Sequence, residues 1–461
     1  MSTPMRLTDD AIRLALTPAP DIQAPAGLAD GIRMAVAATP QRRGSILGLA
    51  PSPRTRIALR LALVGLLIVA LVGLLLFVGS KRPPTDVPTT STYHGGPERN
   101  GVMPGPGPTG VPSVVWQYGA LKGSVGAWSP AVVDGIIFIA DQGGFITAID
   151  EQAGGKLWQV DMGAPINSGI TVASGVVIVG DDAGLIHGLD SATGHERWLY
   201  QASAAVHSAA AVVNGVAWIG SLDGTLYALD VQTGTPRWPV PVITAGPISR
   251  AIAASGGLVY VGSGGAAPGD LATLQAYDAS TGLLRWAEPL EPGNTSTPSV
   301  SDGRVFVTGG LDTTTSLAHD LHAFDASTGK AAWPAFRAPT GKALLIGAVA
   351  DELVFAESTD GTMYVVDAAT GSLDWSADIH STLAPSAGVV AGTIYVTSDD
   401  RKIHVFDIAS HQEWGGPWPF ALDGALGSPT IVDGRVFVGT SYGEVFSITG
   451  AGSPSSAPTS P

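Results

Sequence analysis

Two kinds of hydrophobic pattern divide this chain. From Leu61 to Val78 (LALVGLLIVALVGLLLFV) eighteen consecutive residues are apolar. Beyond residue 112 the apolar runs are short, alternate with polar positions and are broken by Asn-Gly, Asp-Gly and Thr-Gly pairs. A helix rises about 1.5 Å per residue, so the first pattern with its flanks spans roughly 30 Å of hydrocarbon and predicts a transmembrane helix over 57–79. A cleaved signal peptide is the alternative, but the run is too long, a whole segment precedes it, and no A-x-A site follows. Arg42, Arg43, Arg54, Arg56 and Arg60 lie before the span and only Lys81 and Arg82 closely after it. That bias places the N-terminus in the cytoplasm and the C-terminal mass outside.

The second pattern is a repeat, A-x-D-x-x-T-G-x-x-x-W. Its copies are AIDEQAGGKLW ending at Trp158, GLDSATGHERW at Trp198, ALDVQTGTPRW at Trp238, AYDASTGLLRW at Trp286, AFDASTGKAAW at Trp333, VVDAATGSLDW at Trp375 and the shortened VFDIASHQEW at Trp414. These tryptophans lie 40, 40, 48, 47, 42 and 39 residues apart, the length of one four-stranded propeller blade. Alternation before the Asp predicts a third strand. The Asp caps its own turn, Gly supplies the positive φ for reversal, and the Trp sits on the returning fourth strand as a contact between blades. Two further strands precede each motif, as in SPAVVDG then IIFIA and in SPTIVDG then RVFVG. The last such pair is followed by EVFSITG with no Trp strand, whereas Val114 to Tyr118 (VVWQY) reads as a fourth strand with no blade before it. Joining the two predicts an all-β, eight-bladed β-propeller of four-stranded blades over 113–450, with strand 113–118 closing the last blade. Seven blades with an unpaired N-terminal strand is the alternative.

The remaining segments frame this domain. Residues 1–56 predict a mostly disordered basic cytoplasmic tail, with Leu28–Ala38 as its only short helical stretch; 80–112 a Pro/Gly-rich spacer; and 451–461 a disordered tail. Residues 1–80 hold eight Arg and four Asp, a balance of +4, so with −15 in total the other 381 residues carry −19. An acidic ectodomain excludes nucleic acid as its partner, because phosphate binding needs clustered Lys and Arg. With no cysteine in the chain, disulfides, thiolate metal sites, thiol catalysis and a lipidated cysteine are excluded.

The repeat resembles that of the pyrroloquinoline-quinone (quinoprotein-type) propeller family, and Gly95 to Gly110 (GGPERNGVMPGPGPTG) is similar to the lead-in of bacterial members. The resemblance covers about Tyr93 to Gly450. It implies one of two branches: dehydrogenases that hold the quinone and Ca²⁺ in the central channel, or non-enzymatic scaffolds such as the outer-membrane assembly lipoprotein. The dehydrogenases carry a vicinal disulfide and a carboxylate cluster; this chain has no cysteine, and its core Asp residues (Asp150, Asp190, Asp230, Asp278, Asp325, Asp367, Asp407) fall in the turn slot of the repeat. Lacking cysteine, it also departs from the lipoprotein's anchor.

No catalytic, cofactor or metal residue is therefore expected. Small residues (Ser129, Ser168, Ser208, Ser428) precede the first strands and would rim the channel, with His207 and Arg250 as exceptions; Arg250 suits a carboxylate or phosphate. His319 and His322 have metal-like spacing, but His322 starts a strand. The long loops of blades four and five, 264–272 and 309–320, share a face with the connection 288–297. They gather Asp270, Glu288, Glu291, Asp312 and Asp320 into an acidic rim suited to a protein partner or envelope component. The expectation is a single-pass membrane protein with a non-catalytic extracytoplasmic binding, scaffold or sensing propeller. The alternatives are a quinone-dependent dehydrogenase and a transmembrane regulator of anti-sigma type.

Overall fold

The structure, a computed structural model, describes residues 91–451 apart from 109, 120, 127, 266, 268, 310–319, 381–386, 415–417 and 419–421. The cytoplasmic tail, the transmembrane helix over 57–79, most of the spacer, the tail after 451 and Asp312 lie outside the described residues. Among the described residues no helix is long and apolar enough to cross a membrane.

Eight antiparallel sheets follow one another along the chain. Blade 1 is Ala131–Val133, Ile136–Ala140, Phe145–Asp150 and Lys156–Asp161, and each later blade repeats that meander. The eighth takes Thr430–Val432, Arg435–Gly439 and Val445–Ala451 from the C-terminal end and Val111–Tyr118 from the N-terminal end, paired from Val111↔Ala451 to Tyr118↔Val445. This is the expected eight-bladed closure, with a longer closing strand than 113–118. Seven sheets are four-stranded; blade 5 has three strands, its fourth reduced to the bridges Phe324↔Ala331 and Leu321↔Phe336. Pro334 interrupts that segment, and Pro236, Pro239 and Pro241 cut the fourth strand of blade 3 to Val242–Ile243, because proline donates no ladder hydrogen bond.

The first strands of neighbouring blades touch one another, which sets them around the axis. The core is divided among eight apolar clusters, one at each seam between blades. The repeat motif makes the seam. In the turn after the third strand of blades 1 to 7 the Asp carboxylate accepts backbone N–H groups, Ala153 to Asp150 at 2.8 Å and Thr370 to Asp367 at 2.7 Å, for example. The Thr233 hydroxyl on Asp230, and Thr370 on Asp367, hold those carboxyls below their ordinary value. The Gly that follows has φ of 67–75° at Gly154, Gly194, Gly234, Gly282, Gly329 and Gly371. A Cβ there would run into the Trp of the preceding blade: Trp116, Trp158, Trp198, Trp238, Trp286 and Trp333 in turn. With the ring lying on the glycine, the indole Nε1–H donates to the carbonyl just after the Asp. The pairs are Trp116 to Glu151 (3.0 Å), Trp158 to Ser191 (3.0 Å), Trp198 to Val231 (2.8 Å), Trp286 to Ala326 (3.1 Å) and Trp333 to Ala368 (3.1 Å).

Blade 8 has no such turn, because its third and fourth strands come from opposite ends of the chain. Trp414 of blade 7 is accordingly 40% exposed, against 7% for Trp198. In thermal and denaturant unfolding of the full chain, Trp198→Ala is expected to cost about 3–5 kcal/mol through cavity formation and a lost hydrogen bond. Trp414→Ala is expected to cost less than about 1 kcal/mol.

Candidate functional site

The first strand of every blade is a sheet edge whose axis-facing N–H groups need acceptors. Residues 91–106 supply them in blades 2 and 4 to 7. Val172 of blade 2 donates to Ser91 O (2.7 Å), Ala254 of blade 4 to Pro97 O (2.7 Å), Val300 of blade 5 to Glu98 O (2.8 Å), Val349 of blade 6 to Asn100 O (2.7 Å) and Val389 of blade 7 to Gly101 O (2.8 Å). Met103 N–H returns to Val389 O at 2.8 Å, and Gly434 in blade 8 donates to Pro106 O at 3.0 Å. The lead-in thus runs around the inner wall of the channel before leaving beneath blade 8 to become the closing strand. Where a free spacer is expected over 80–112, residues 91–108 are a packed part of the propeller; the unpaired edges capture them.

Arg99 stands at the middle of this arrangement and is fully buried. Its guanidinium donates to Ile252 O (2.9 Å), Tyr93 O (2.7 Å), Ala209 O (3.5 Å), Ala210 O and the Thr92 hydroxyl, tying the lead-in to the inner strands of blades 3 and 4. Burial lowers its pKa to about 9. His94 is buried nearby with both ring nitrogens unpartnered, its ring stacked on Tyr93 at 3.9 Å; burial and then the Arg99 charge lower its pKa to about 3, so it is neutral. Sequence reasoning read this segment only as a lead-in and missed Arg99. A lone cation in a Gly/Pro-rich stretch of a cation-poor chain was the available signal.

Around the end of the channel nearest the start of the first strands, side chains of blades 1–3 form a hydrogen-bonded rim. His207 Nε2 lies 2.9 Å from Asp182, Asn167 donates to both Asp182 oxygens (3.1 and 2.9 Å), and Gln142 donates to Asn167 Oδ1 at 3.0 Å. Trp128 donates to Asn167 O at 2.9 Å and meets Tyr93 edge-on at 4.7 Å. Ser168 and Ser208 are buried inside the wall, each bonded to both the N–H and the carbonyl of Gly180 or Gly220. Three residues before the first strand, that position holds Trp128 in blade 1 and Arg250 in blade 4. Arg250 is exposed, with no ion pair among the described residues.

The acidic rim is partly neutralised. Asp320 is held bidentate by Arg337 (2.8 and 2.7 Å), and Glu291 lies 2.9 Å from Nε2 of His322, which sits in the strand Leu321–Asp325. Asp270 accepts Ala267 N–H at 2.9 Å within its own loop, and Glu288 is half-buried opposite Leu274. His319 lies outside the described residues.

The quinone and calcium that the repeat implies do not fit this channel. The axis carries the hydrogen-bonded backbone of the lead-in and a buried cation, and among the described residues no three His, Asp or Glu side chains group so as to hold a metal ion.

The sequence matches the family described as "Outer membrane protein assembly factor BamB" over residues 142–267, 223–382 and 359–453. No curated protein matches it. Among solved structures, BamB from Moraxella catarrhalis is 19% identical with a TM-score of 0.58, over 74% of this chain and 98% of that one. The quinohemoprotein alcohol dehydrogenase of Comamonas testosteroni is 15% identical with a TM-score of 0.60, over 78% and 80%. A europium-containing methanol dehydrogenase is 13% identical at a TM-score of 0.60, over 78% and 98%. At these identities the likeness is one of fold.

Two arginines separate the structural from the available. Arg99→Ala leaves several buried carbonyls without donors and is expected to destabilise the full chain by at least about 3 kcal/mol in thermal unfolding. Arg250→Ala, at an exposed and unpaired position, is expected to change stability by no more than about 0.5 kcal/mol.

Proposed function

Because the chain belongs to the family described as outer membrane protein assembly factor BamB, we propose that it is a non-catalytic binding or scaffold propeller, held outside the cytoplasm by one membrane-spanning helix over 57–79. The observation that carries the non-catalytic reading is the filled axis. In the dehydrogenase branch the resemblance assigns that space to the cofactor, and here residues 91–106 occupy it with six backbone hydrogen bonds to the inner strands and a seventh to the first turn of blade 8.

A partner then binds the faces of the ring rather than its axis. The long loops of blades 4 and 5 are the proposed contact for a protein or envelope component, with Asp270 and Glu288 supplying the carboxylates not taken by a cation; Asp320 and Glu291 serve the loops themselves. Half-buried His207 and exposed Arg250 at the channel rim are the second polar feature on offer. Membrane attachment rests on the hydropathy of Leu61–Val78 and on the arginines that precede it.

Titration of the full chain in detergent with pyrroloquinoline quinone, with and without Ca²⁺, is expected to give no saturable binding. One-to-one binding at about micromolar affinity would overturn the non-catalytic reading. Topology is testable because the chain has no cysteine of its own. In intact cells a membrane-impermeant maleimide is expected to label Ser455→Cys and leave Ser45→Cys unlabelled. The reverse pattern, or labelling of both, would refute the single-span orientation.

A further inference from the structure

One polar arrangement recurs in blades 2 and 4. Seven residues after the turn Asp, an arginine folds back and holds that Asp through Nη2, Arg197 on Asp190 and Arg285 on Asp278, both at 2.6 Å. Each blade also has a two-residue turn between its first and second strands with two successive positive φ values. These are 49° and 75° at Ser174-Gly175 of blade 2, and 58° and 79° at Gly256-Gly257 of blade 4. The carbonyl of the first turn residue is therefore presented in the same way in both.

What differs is the side chain that reaches over from the next blade. Two positions after the turn Asp of blade 3 stands Gln232, and its carboxamide bridges the two groups of blade 2. Arg197 Nη1 donates to Gln232 Oε1 at 3.1 Å, and Gln232 Nε2 donates to the Ser174 carbonyl at 2.9 Å. Two positions after the turn Asp of blade 5 stands Ser327, which is too short to cross; its hydroxyl donates back to Asp325 at 2.7 Å. Ser174 is likewise replaced by Gly256, and a Cβ built on Gly256 or Gly257 meets nothing within 4 Å. A cleft of about 450 Å³ opens there, bounded by Gly256, Gly257, Asp278, Arg285 and Ser327, with Asn214 at its blade 3 end. Among the described residues, Arg285 Nη1 has no acceptor.

We propose that this cleft binds a terminal carboxamide, the group that ends a glutamine side chain, supplied from outside the chain. Both groups that hold Gln232 at blade 2 have counterparts at blade 4: the Arg285 Nη1–H to meet an amide oxygen, and the Gly256 carbonyl to accept from an amide nitrogen. Charge selects a neutral ligand. Asp278 already neutralises Arg285 and stands in the wall of the cleft, so a carboxylate or phosphate meets no net positive charge there. A carboxylate also only accepts, whereas a carboxamide accepts on one atom and donates on the next, as the arginine and the turn carbonyl require. The site lies at the opposite end of strand Leu258–Ser263 from the loop 264–272, so it is separate from the partner contact proposed above.

Saturation-transfer NMR of the full chain in detergent, with N-acetyl-glutamine N-methylamide as the probe, tests this. Saturable transfer is expected, with a Kd of about 1–10 mM for so small a ligand at an exposed site. The matching glutamate compound is expected to bind at least about tenfold more weakly. Ser327→Gln gives blade 5 the side chain that blade 3 has, and is expected to weaken the probe about tenfold by occupying the cleft from within. Arg285→Lys keeps the charge beside Asp278 but loses the forked donor, and is expected to weaken the probe by a similar factor of about ten. Both substitutions are at exposed positions, and an unchanged circular dichroism spectrum checks that the fold is kept. No transfer from the glutamine probe up to about 50 mM, a glutamate probe that binds as well, or undiminished binding by Ser327→Gln would each overturn the proposal.

Discussion

An indole resting on a glycine is the contact on which this ring depends. A four-stranded sheet has two faces, and neither is stable in water until a neighbouring blade covers it. The Trp of one blade reaches the turn of the next, where a positive-φ glycine leaves room for its ring and a carbonyl accepts its N–H. Tryptophan supplies a large apolar area and a directional polar end together, so each contact sets the tilt of one blade against the next as well as stabilising it. The Asp of the motif matters because its carboxylate shapes the turn that presents the glycine and the carbonyl. Repeated around the ring, this contact allows eight small cores to behave as one body.

A closed ring leaves one problem at its centre, where the first strands present unpaired edges to the axis. This chain covers much of that edge with its own residues 91–106, locked by a buried Arg99. The same segment closes the ring, because it leads directly into Val111–Tyr118 of blade 8. Two of the seams without the indole hydrogen bond, 6 to 7 and 7 to 8, are also where the lead-in pairs with Val389 and where Met103 enters the apolar cluster of blades 7 and 8. Axial packing and ring closure are therefore one device.

Function follows from what that device leaves open. With the lead-in along the axis, the proposed binding falls to the rims and loops, in keeping with a family described as an assembly factor. Acidic loop residues that form one set in the sequence are divided by the fold: Arg337 and His322 claim Asp320 and Glu291, while Asp270 shapes its own loop.

By itself the sequence determined the repeat, the number of blades, the role of each motif residue and the joining of the chain's two ends in one blade. These follow from local chemistry: alternation makes strands, Asp and Gly make turns, and seven spaced tryptophans count the blades. Only the tertiary structure decided where the lead-in goes, because nothing in Gly95 to Gly110 alternates, and its hydrogen-bond partners lie far away in sequence, at Val172, Ala254, Val300, Val349 and Val389. The same holds for Arg99 and His94. Each is an ordinary polar residue in the sequence, and the packing of other blades around it decides whether its charge is paired, buried or suppressed.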